Sequence, residues 1–323
     1  MSSRPLPPLR FAPRTFEKVW GGRRLAALGI ELPPETAIGE VWLVVDRAEE
    51  QSVVASGPYE GQTLDALMQT HAAALLGRSR RASNGRFPLL VKYIDASQPL
   101  SVQVHPGPHT PPELGESKTE AWYLLAADED AQLWTGLADG ITVERLAQAA
   151  GTPACVQLLA SNPARAGECI LVEGGTVHAI GGGCAILEVQ QNSDTTWRLY
   201  DWDRPGLDGR PRRLDVPQAL RCARPVNFTP RPARVVEESH AWRRSKLVDC
   251  ELFRMDLLEL EGERALATDG YAQVLTMLEG SGRLQAGAFE VSLQRGEAWL
   301  LPASLGDYLL SGRLRAVRAT ALS

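Results

Sequence analysis

The sequence predicts a mainly β protein built as two small barrels, the first elaborated with a few helices. Three observations carry that expectation. Its 29 glycines and 22 prolines are spread along the 323-residue chain, a supply of turn formers that favours many short strands over a helical bundle. The apolar runs are short and bounded by Gly, Pro or Asp clusters. A Pro- and Arg-rich connector, RPVNFTPRPAR, separates residues 1–230, which hold the helical segments, from residues 231–323.

Taken in order, Thr63 is an N-cap candidate ahead of a helical stripe of Leu64, Leu67, Met68 and Leu75. His71 falls on that stripe and reads as a satisfied core histidine. Phe87 to Ile94 is a nearly continuous apolar strand, Leu100 to His105 alternates, and Ala121 to Ala126 is apolar again. Thr142 to about Ser161 reads as helix, restarted by Thr152 and Pro153. Strands follow at Cys169–Val172, Ala185–Val189 and Thr196–Trp202. Beyond the connector they are expected at Leu252–Leu260, Gln273–Leu278, Gly282–Gln285, Glu290–Leu293, Ala298–Leu301 and Tyr308–Leu310. The runs GGG (181–183) and GSG (280–282) read as hairpin turns, since neither has the βαβ context of a dinucleotide loop.

Composition narrows the function. With 44% hydrophobic and 23% charged residues, the chain is of the soluble globular kind with a real core. A net charge of −5 argues against nucleic acid as a partner. The basic stretch Arg204–Arg213 is interrupted by acids and glycines and reads as a solvated loop. No apolar run could span a bilayer, and MSSRPLPPLRFAPR does not resemble a signal peptide, so no membrane role is expected. The five cysteines form no CxxC pair and fit a reducing, cytoplasmic setting as small buried hydrophobes.

Only five histidines occur, at 71, 105, 109, 178 and 240. On a strand through Leu100–His105, Gln103 and His105 share one face while Val102 and Val104 share the other. Two polar groups inside a hydrophobic strand need partners. A metal would satisfy both, and so would a hydrogen-bonded pair at an exposed edge. In ESKTEAW, Glu120 beside the apolar WYLLAA is a candidate buried carboxylate, or else half of a surface pair with Lys118. His109 reads as a solvated loop residue, and His240 has no partner to name.

GECILVEGGTVH at 167–178 is more specific: turn, strand, glycine turn, then His178. It resembles the second conserved motif of the cupin superfamily, with Glu173 where a proline is usual. Two neutral imidazoles, a carboxylate and an amide oxygen suit Zn2+, one per chain, or another first-row divalent ion. Such a site keeps a net positive charge and favours an anionic substrate or oxyanion.

The motifs KVWGG (18–22), GEVW (39–42), FPLLVKYIDASQPLSVQVHP (87–106), GESKTEAWYLL (115–125) and VHAIGGGCAILEVQQNSDTTWRLYDWDR (177–204) resemble the type I mannose-6-phosphate isomerases in their short bacterial form. Beyond about residue 225, only architecture and LEGSGRL support the likeness. It implies two cupin-like jelly-roll barrels. It also implies a zinc-dependent aldose–ketose isomerisation of mannose 6-phosphate and fructose 6-phosphate through an enediol, with a sugar phosphate as partner. The family's ligands fall on His105, Glu120 and His178, with Gln103 less certain because some short forms have lysine there. Its active-site arginine falls on Arg198, and the neighbouring lysine and aspartate on Lys118 and Asp194. Lys118, near a cation, is expected to have lowered proton affinity. Either Lys118 or Asp194 could carry the proton. Ser117 stands where long forms have histidine.

The first unit is then the catalytic one. The second repeats the glycine–strand–proline spacing at Gly296–Pro302 but places Asp307 where His178 would fall, so it is expected to be metal-free. Oligomeric state is left open. Two rival readings remain: an isomerase of another sugar phosphate, such as glucose 6-phosphate, and a metal-dependent sugar-binding protein without catalysis. Keeping Lys118, Asp194 and Arg198 speaks against the latter.

Overall fold

A computed structural model describes residues 5–322. The chain is mainly β, with three antiparallel sheets and few helices. A seven-stranded sheet runs in the order Arg231–Pro232, Glu168–Val172, Glu120–Ala127, Cys184–Gln191, Leu89–Ala96, Ile38–Val44 and Arg14–Gly22. A five-stranded sheet faces it: Trp197–Tyr200, Val102–Val104, His178–Ile180, Gln132–Leu137 and Leu159–Pro163. The third, eight-stranded sheet holds the C-terminal strands, and Leu9–Arg10 joins it by pairing with Ala298–Leu301. The two ends of the chain therefore share a sheet.

The side-chain alternation of the strands assigns each face. In Leu89–Ala96, Lys92 and Ile94 look into the first barrel, where Ile94 packs with Trp20, Trp122, Ile170 and Ile186. Val91 and Tyr93 look the other way, into a core shared with Leu257, Val274 and Val317 of the eight-stranded sheet. Both faces are buried, which is why this strand reads as a continuous apolar run. Val102 and Val104 back the five-stranded sheet and are covered by helices Val143–Ala149 and Val216–Cys222. Among the described residues, no helix is long and apolar enough to cross a membrane.

Helix Leu64–Leu76 begins at Thr63, whose Oγ1 accepts the Ala66 N–H at 3.2 Å. His71 is half-buried beside the Tyr59 ring and leaves helical geometry (φ −131°), so it is not the core histidine expected. The helix expected over 142–161 is shorter. It stops at Ala149, Pro153–Leu158 is a 3-10 turn, and Leu159–Pro163 is a strand. Apolar spacing alone does not separate a buried strand from a helical stripe over so few residues. Helix Val216–Cys222 was not foreseen.

The two glycine runs also differ from expectation. Gly181–Gly183 is a turn, but it carries the chain from one sheet to the other and closes no hairpin. Gly280–Gly282 lies inside the long strand Gln273–Ala286. There Gly282 and Gly262 both pair with Gly312 across three strands of 14 or 15 residues. Glycines abreast let neighbouring long strands bend together, and a Cβ at Gly282 or Gly312 would meet the carbonyl oxygen of Ser311 or Ser281, at 2.4 and 2.5 Å.

Gly280 tests this reading. Its φ is +70°, and an added Cβ would lie 2.0 Å from the Arg313 carbonyl oxygen. Gly280→Ala is expected to lose more than about 3 kcal/mol in urea unfolding, or to fail to accumulate. Gly287→Ala, with φ +55° but nothing within 4 Å, should lose only about 1–2 kcal/mol.

Candidate metal centre

Two sheets bring three donors together. His105 continues the Val102–Val104 strand, and His178 lies opposite Gln103 on the next strand. Glu120 opens its strand in the facing sheet, between Gln190 and Val172. The Glu173–Gly174–Gly175 turn packs onto the segment after His105. A Cβ on Gly174 would sit 2.4 Å from the Pro106 carbonyl oxygen, and the Gly175 N–H donates to the His105 carbonyl at 2.8 Å. Glycine is needed there for two loops to touch.

The ligand atoms of His105, Glu120 and His178 all lie within 4.8 Å of one another. Each Nε2 is 3.4 Å from a Glu120 oxygen. Bonds of about 2.0–2.1 Å in a tetrahedral site would separate donors by roughly 3.3–3.5 Å, so the spacing fits zinc or a similar ion. The tautomers fit as well. His105 Nδ1–H donates to the Thr195 carbonyl at 2.7 Å, and His178 Nδ1–H to the Thr176 carbonyl at 2.9 Å. Both Nε2 lone pairs then face the centre. Burial, and after it the Lys118 charge, lowers the His105 pKa to about 3. Burial likewise lowers that of His178. Burial would raise the pKa of Glu120, but Lys118 and then the imidazoles pull it well below the ordinary range. The set at neutral pH is two neutral imidazoles and a carboxylate, and it fits a divalent cation.

Lys118 Nζ lies 3.2 Å from His105 Nε2 and 2.8 Å from Glu120 Oε2. It is off the line for a hydrogen bond to that oxygen, which is buried without a donor. Glu188 Oε1 lies 3.8 Å from the same ammonium. Gln103 stands beside the centre but presents its amide nitrogen, 3.3 Å from His178 Nε2, while its oxygen accepts from Ser101. Asp194 is exposed and lines the same cavity of about 230 Å³ as Lys118 and Arg198. His109 and His240 are exposed.

Sequence reasoning missed several cavity residues. Lys18, Glu40, Lys92 and Glu188 all line it and form an alternating file behind Lys118. Lys18 is 3.7 Å from Glu40, Glu40 is 3.6 Å from Lys92, and Lys92 is 3.2 Å from Glu188. Trp42 donates to Glu40 at 2.7 Å and Trp122 to Glu188 at 3.1 Å. Trp42, Lys92, Glu188 and Trp122 form one cross-strand row. A lysine and a glutamate inside the apolar runs LLVKYI and AILEVQ were the available signal, because such charges must be paired. Burial raises the Glu188 pKa, aided by the Glu120 charge. Arg212 also lines the cavity, so the stretch Arg204–Arg213 is not simply a solvated loop.

Residues 9–131 match the family model described as "Phosphomannose isomerase type I, catalytic domain". Residues 243–321 match "Mannose-6-phosphate isomerase, cupin domain". The chain is 36% identical over 310 residues to mannose-6-phosphate isomerase ManA of Bacillus subtilis, covering 94% of this chain and 96% of that protein. It is 34% identical to mannose-6-phosphate isomerase of Streptococcus mutans, covering 96% and 97%. The crystal structure of the Bacillus subtilis mannose 6-phosphate isomerase superposes with a TM-score of 0.88 at 30% identity, over 97% of this chain and 99% of that one. A zinc-bound mannose 6-phosphate isomerase superposes with a TM-score of 0.76, over 98% and 100%. At 18% identity it speaks to the fold alone.

The buried file makes a pH prediction. Burial would raise the Glu40 pKa, but Lys92, Lys18 and the Trp42 N–H bring it from 4.5 to about 2. A depressed carboxylate contributes stability above its unfolded pKa and loses it as pH falls through the folded one. Glu40→Gln should therefore cost on the order of 3 kcal/mol at pH 7. That deficit should shrink between pH 4.5 and 2 in urea titrations, and a deficit constant with pH would contradict the assignment.

Proposed function

This chain belongs to the mannose-6-phosphate isomerase family, and we propose that it interconverts mannose 6-phosphate and fructose 6-phosphate through an enediol. The observation that carries this is the convergence of His105, Glu120 and His178 in a cavity shared with Lys118, Asp194 and Arg198. The ion we propose there is Zn2+, one per chain, held by those three donors with Gln103 as the neighbouring amide. When bound, it supplies a Lewis acid that polarises the sugar's oxygens.

The remaining work belongs to the side chains. Isomerisation removes a proton beside a carbonyl and returns it one carbon over. Lys118, buried against the donor atoms, is our first choice to move it, and Asp194, which faces the same cavity, is the second. Arg198 is placed to stabilise the developing oxyanion, because its Cα is the register partner of Gln103 and its Nε is buried without a partner. Burial, and then Arg212, lowers the Arg198 pKa. Trp20, Ile94 and Trp122 give the cavity an apolar wall beside these groups. A reducing, cytoplasmic setting goes with this reading, and the five free cysteines support it.

A coupled assay of fructose 6-phosphate formation tests the proposal. Chelation should abolish turnover, and zinc should restore it. His178→Ala should lose both stoichiometric metal and activity. Arg198→Ala should keep the metal but lose about 10²–10³ in kcat. Lys118→Ala should lose about 10²–10⁴, more than Asp194→Asn; the reverse order would move the proton-carrying role to Asp194. Turnover surviving complete metal removal would falsify the central claim.

A further inference from the structure

The three candidate ligands stand on three separate segments. Beyond the ladder contacts of their strands, three hydrogen bonds outside the cavity close those segments into a triangle. The Lys118 N–H donates to the Pro106 carbonyl at 2.9 Å, tying the segment that bears Glu120 to the chain just past His105. The Gly175 N–H donates to the His105 carbonyl at 2.8 Å, tying the glycine turn ahead of His178 to the same place. The third side runs from the Gly174 N–H to Thr119 Oγ1, 3.1 Å, and joins that turn to the Glu120 segment. Two sides are backbone to backbone and involve no side chain. The third depends on one hydroxyl.

Thr119 is buried, and it does not line the cavity as its neighbours Lys118 and Glu120 do. Its N–H donates to Gln191 Oε1 at 2.9 Å, and its carbonyl accepts the Gln191 N–H at 3.0 Å. Those two bonds fix the backbone from which the hydroxyl projects. Gly174 is packed just as closely on its other side, where a Cβ added to Gly107 would lie 2.7 Å from the Gly174 carbonyl oxygen. Without the hydroxyl, the buried Gly174 N–H loses its acceptor, and an unpaired buried donor favours a shift of the turn towards water. Such a shift reaches the ligand. Thr176, in the same turn, supplies the carbonyl that accepts from His178 Nδ1 at 2.9 Å, so moving the turn reorients the imidazole.

We propose that Thr119 is a positioning residue for the metal centre: its hydroxyl holds the His178 turn against the Glu120 segment and keeps the two ligands at the spacing a divalent ion needs. It acts through Gly174 and touches neither the ion nor the sugar, so it sets metal affinity and leaves substrate binding alone. This inference rests on the metal site proposed above. Any side chain with an acceptor at this atom serves, and one of the same shape without an acceptor does not.

The test is the zinc affinity of the full-length protein, measured by competition with a chromogenic chelator. Thr119→Val keeps the shape and β-branching of the side chain but removes the acceptor, and it should weaken zinc binding by about 10- to 100-fold. Thr119→Ala also lacks the acceptor and carries the same expectation if valine prevents folding. Thr119→Ser keeps the acceptor and should stay within about threefold of the wild type. At saturating zinc, Thr119→Val should show an unchanged KM for mannose 6-phosphate. Thr268→Val is the control for general destabilisation. It removes a buried hydroxyl that donates to the Ala303 carbonyl at 2.9 Å in the second unit, and it should lower the urea midpoint without altering zinc affinity. Wild-type zinc affinity without the acceptor, equal weakening in Thr119→Ser, or equal weakening in Thr268→Val would each overturn the proposal. A wild-type protein that binds no zinc sinks the metal reading and this inference together. Wild-type binding that persists unchanged in Thr119→Val sinks this inference alone.

Discussion

Glu120 is 1% exposed inside a barrel lined by hydrophobic strands, where an isolated carboxylate would be too costly to remain charged. Its charge persists because Lys118 lies against it, Lys118 against Glu188, Glu188 against Lys92, and Lys92 against Glu40. Each member is tolerable only because the next is present. The file carries the candidate metal donors at one end and the more exposed Lys18 at the other. Two tryptophan N–H groups hold the carboxylates that lysines alone would leave under-bonded. The site is thus continuous with the barrel lining, and its chemistry and its folding energy are the same set of contacts.

The scaffold serves that constraint by covering both faces of the seven-stranded sheet. One face lines the charged cavity, while the other is sealed by the C-terminal sheet through Tyr93, Leu187, Val274 and Val317. Tyr123 spans the junction and meets Arg315 at 2.6 Å. A sheet packed on both sides holds its strands in one register, and register decides which residues face the candidate metal centre. The five-stranded sheet is fixed in a similar way, with Val102, Val104 and Ala179 packed under helices while Gln103, His105 and His178 look inward.

Much of this was legible in the chain itself. The period-two pattern of Val102-Gln103-Val104-His105, the glycine-framed His178 and the carboxylate leading WYLLAA singled out three residues whose candidate ligand atoms lie within 4.8 Å of one another. Residues quoted only as parts of motifs were harder. Lys92 and Glu188 stand in different strands nearly a hundred residues apart, and their pairing is a property of sheet order. Arg212 looked like one charge in a polar loop, and the strained bend at Trp202 that brings Asp201 to it leaves no trace in composition. Gly280–Gly282 misled for a related reason, since glycines at a shared strand bend and glycines in a hairpin look alike in one dimension.

By itself the sequence determined the mainly β class, the alternation that aims His105 and Gln103 inward, and the glycine turn that delivers His178. These depend on residues a few positions apart, whose geometry follows from backbone periodicity. The tertiary structure decided the amide orientation of Gln103, the buried file from Lys18 to Glu120, and the entry of Arg212 into the cavity. Those depend on which strands become neighbours and on how burial strengthens every charge between them, and neither is a local property of the chain.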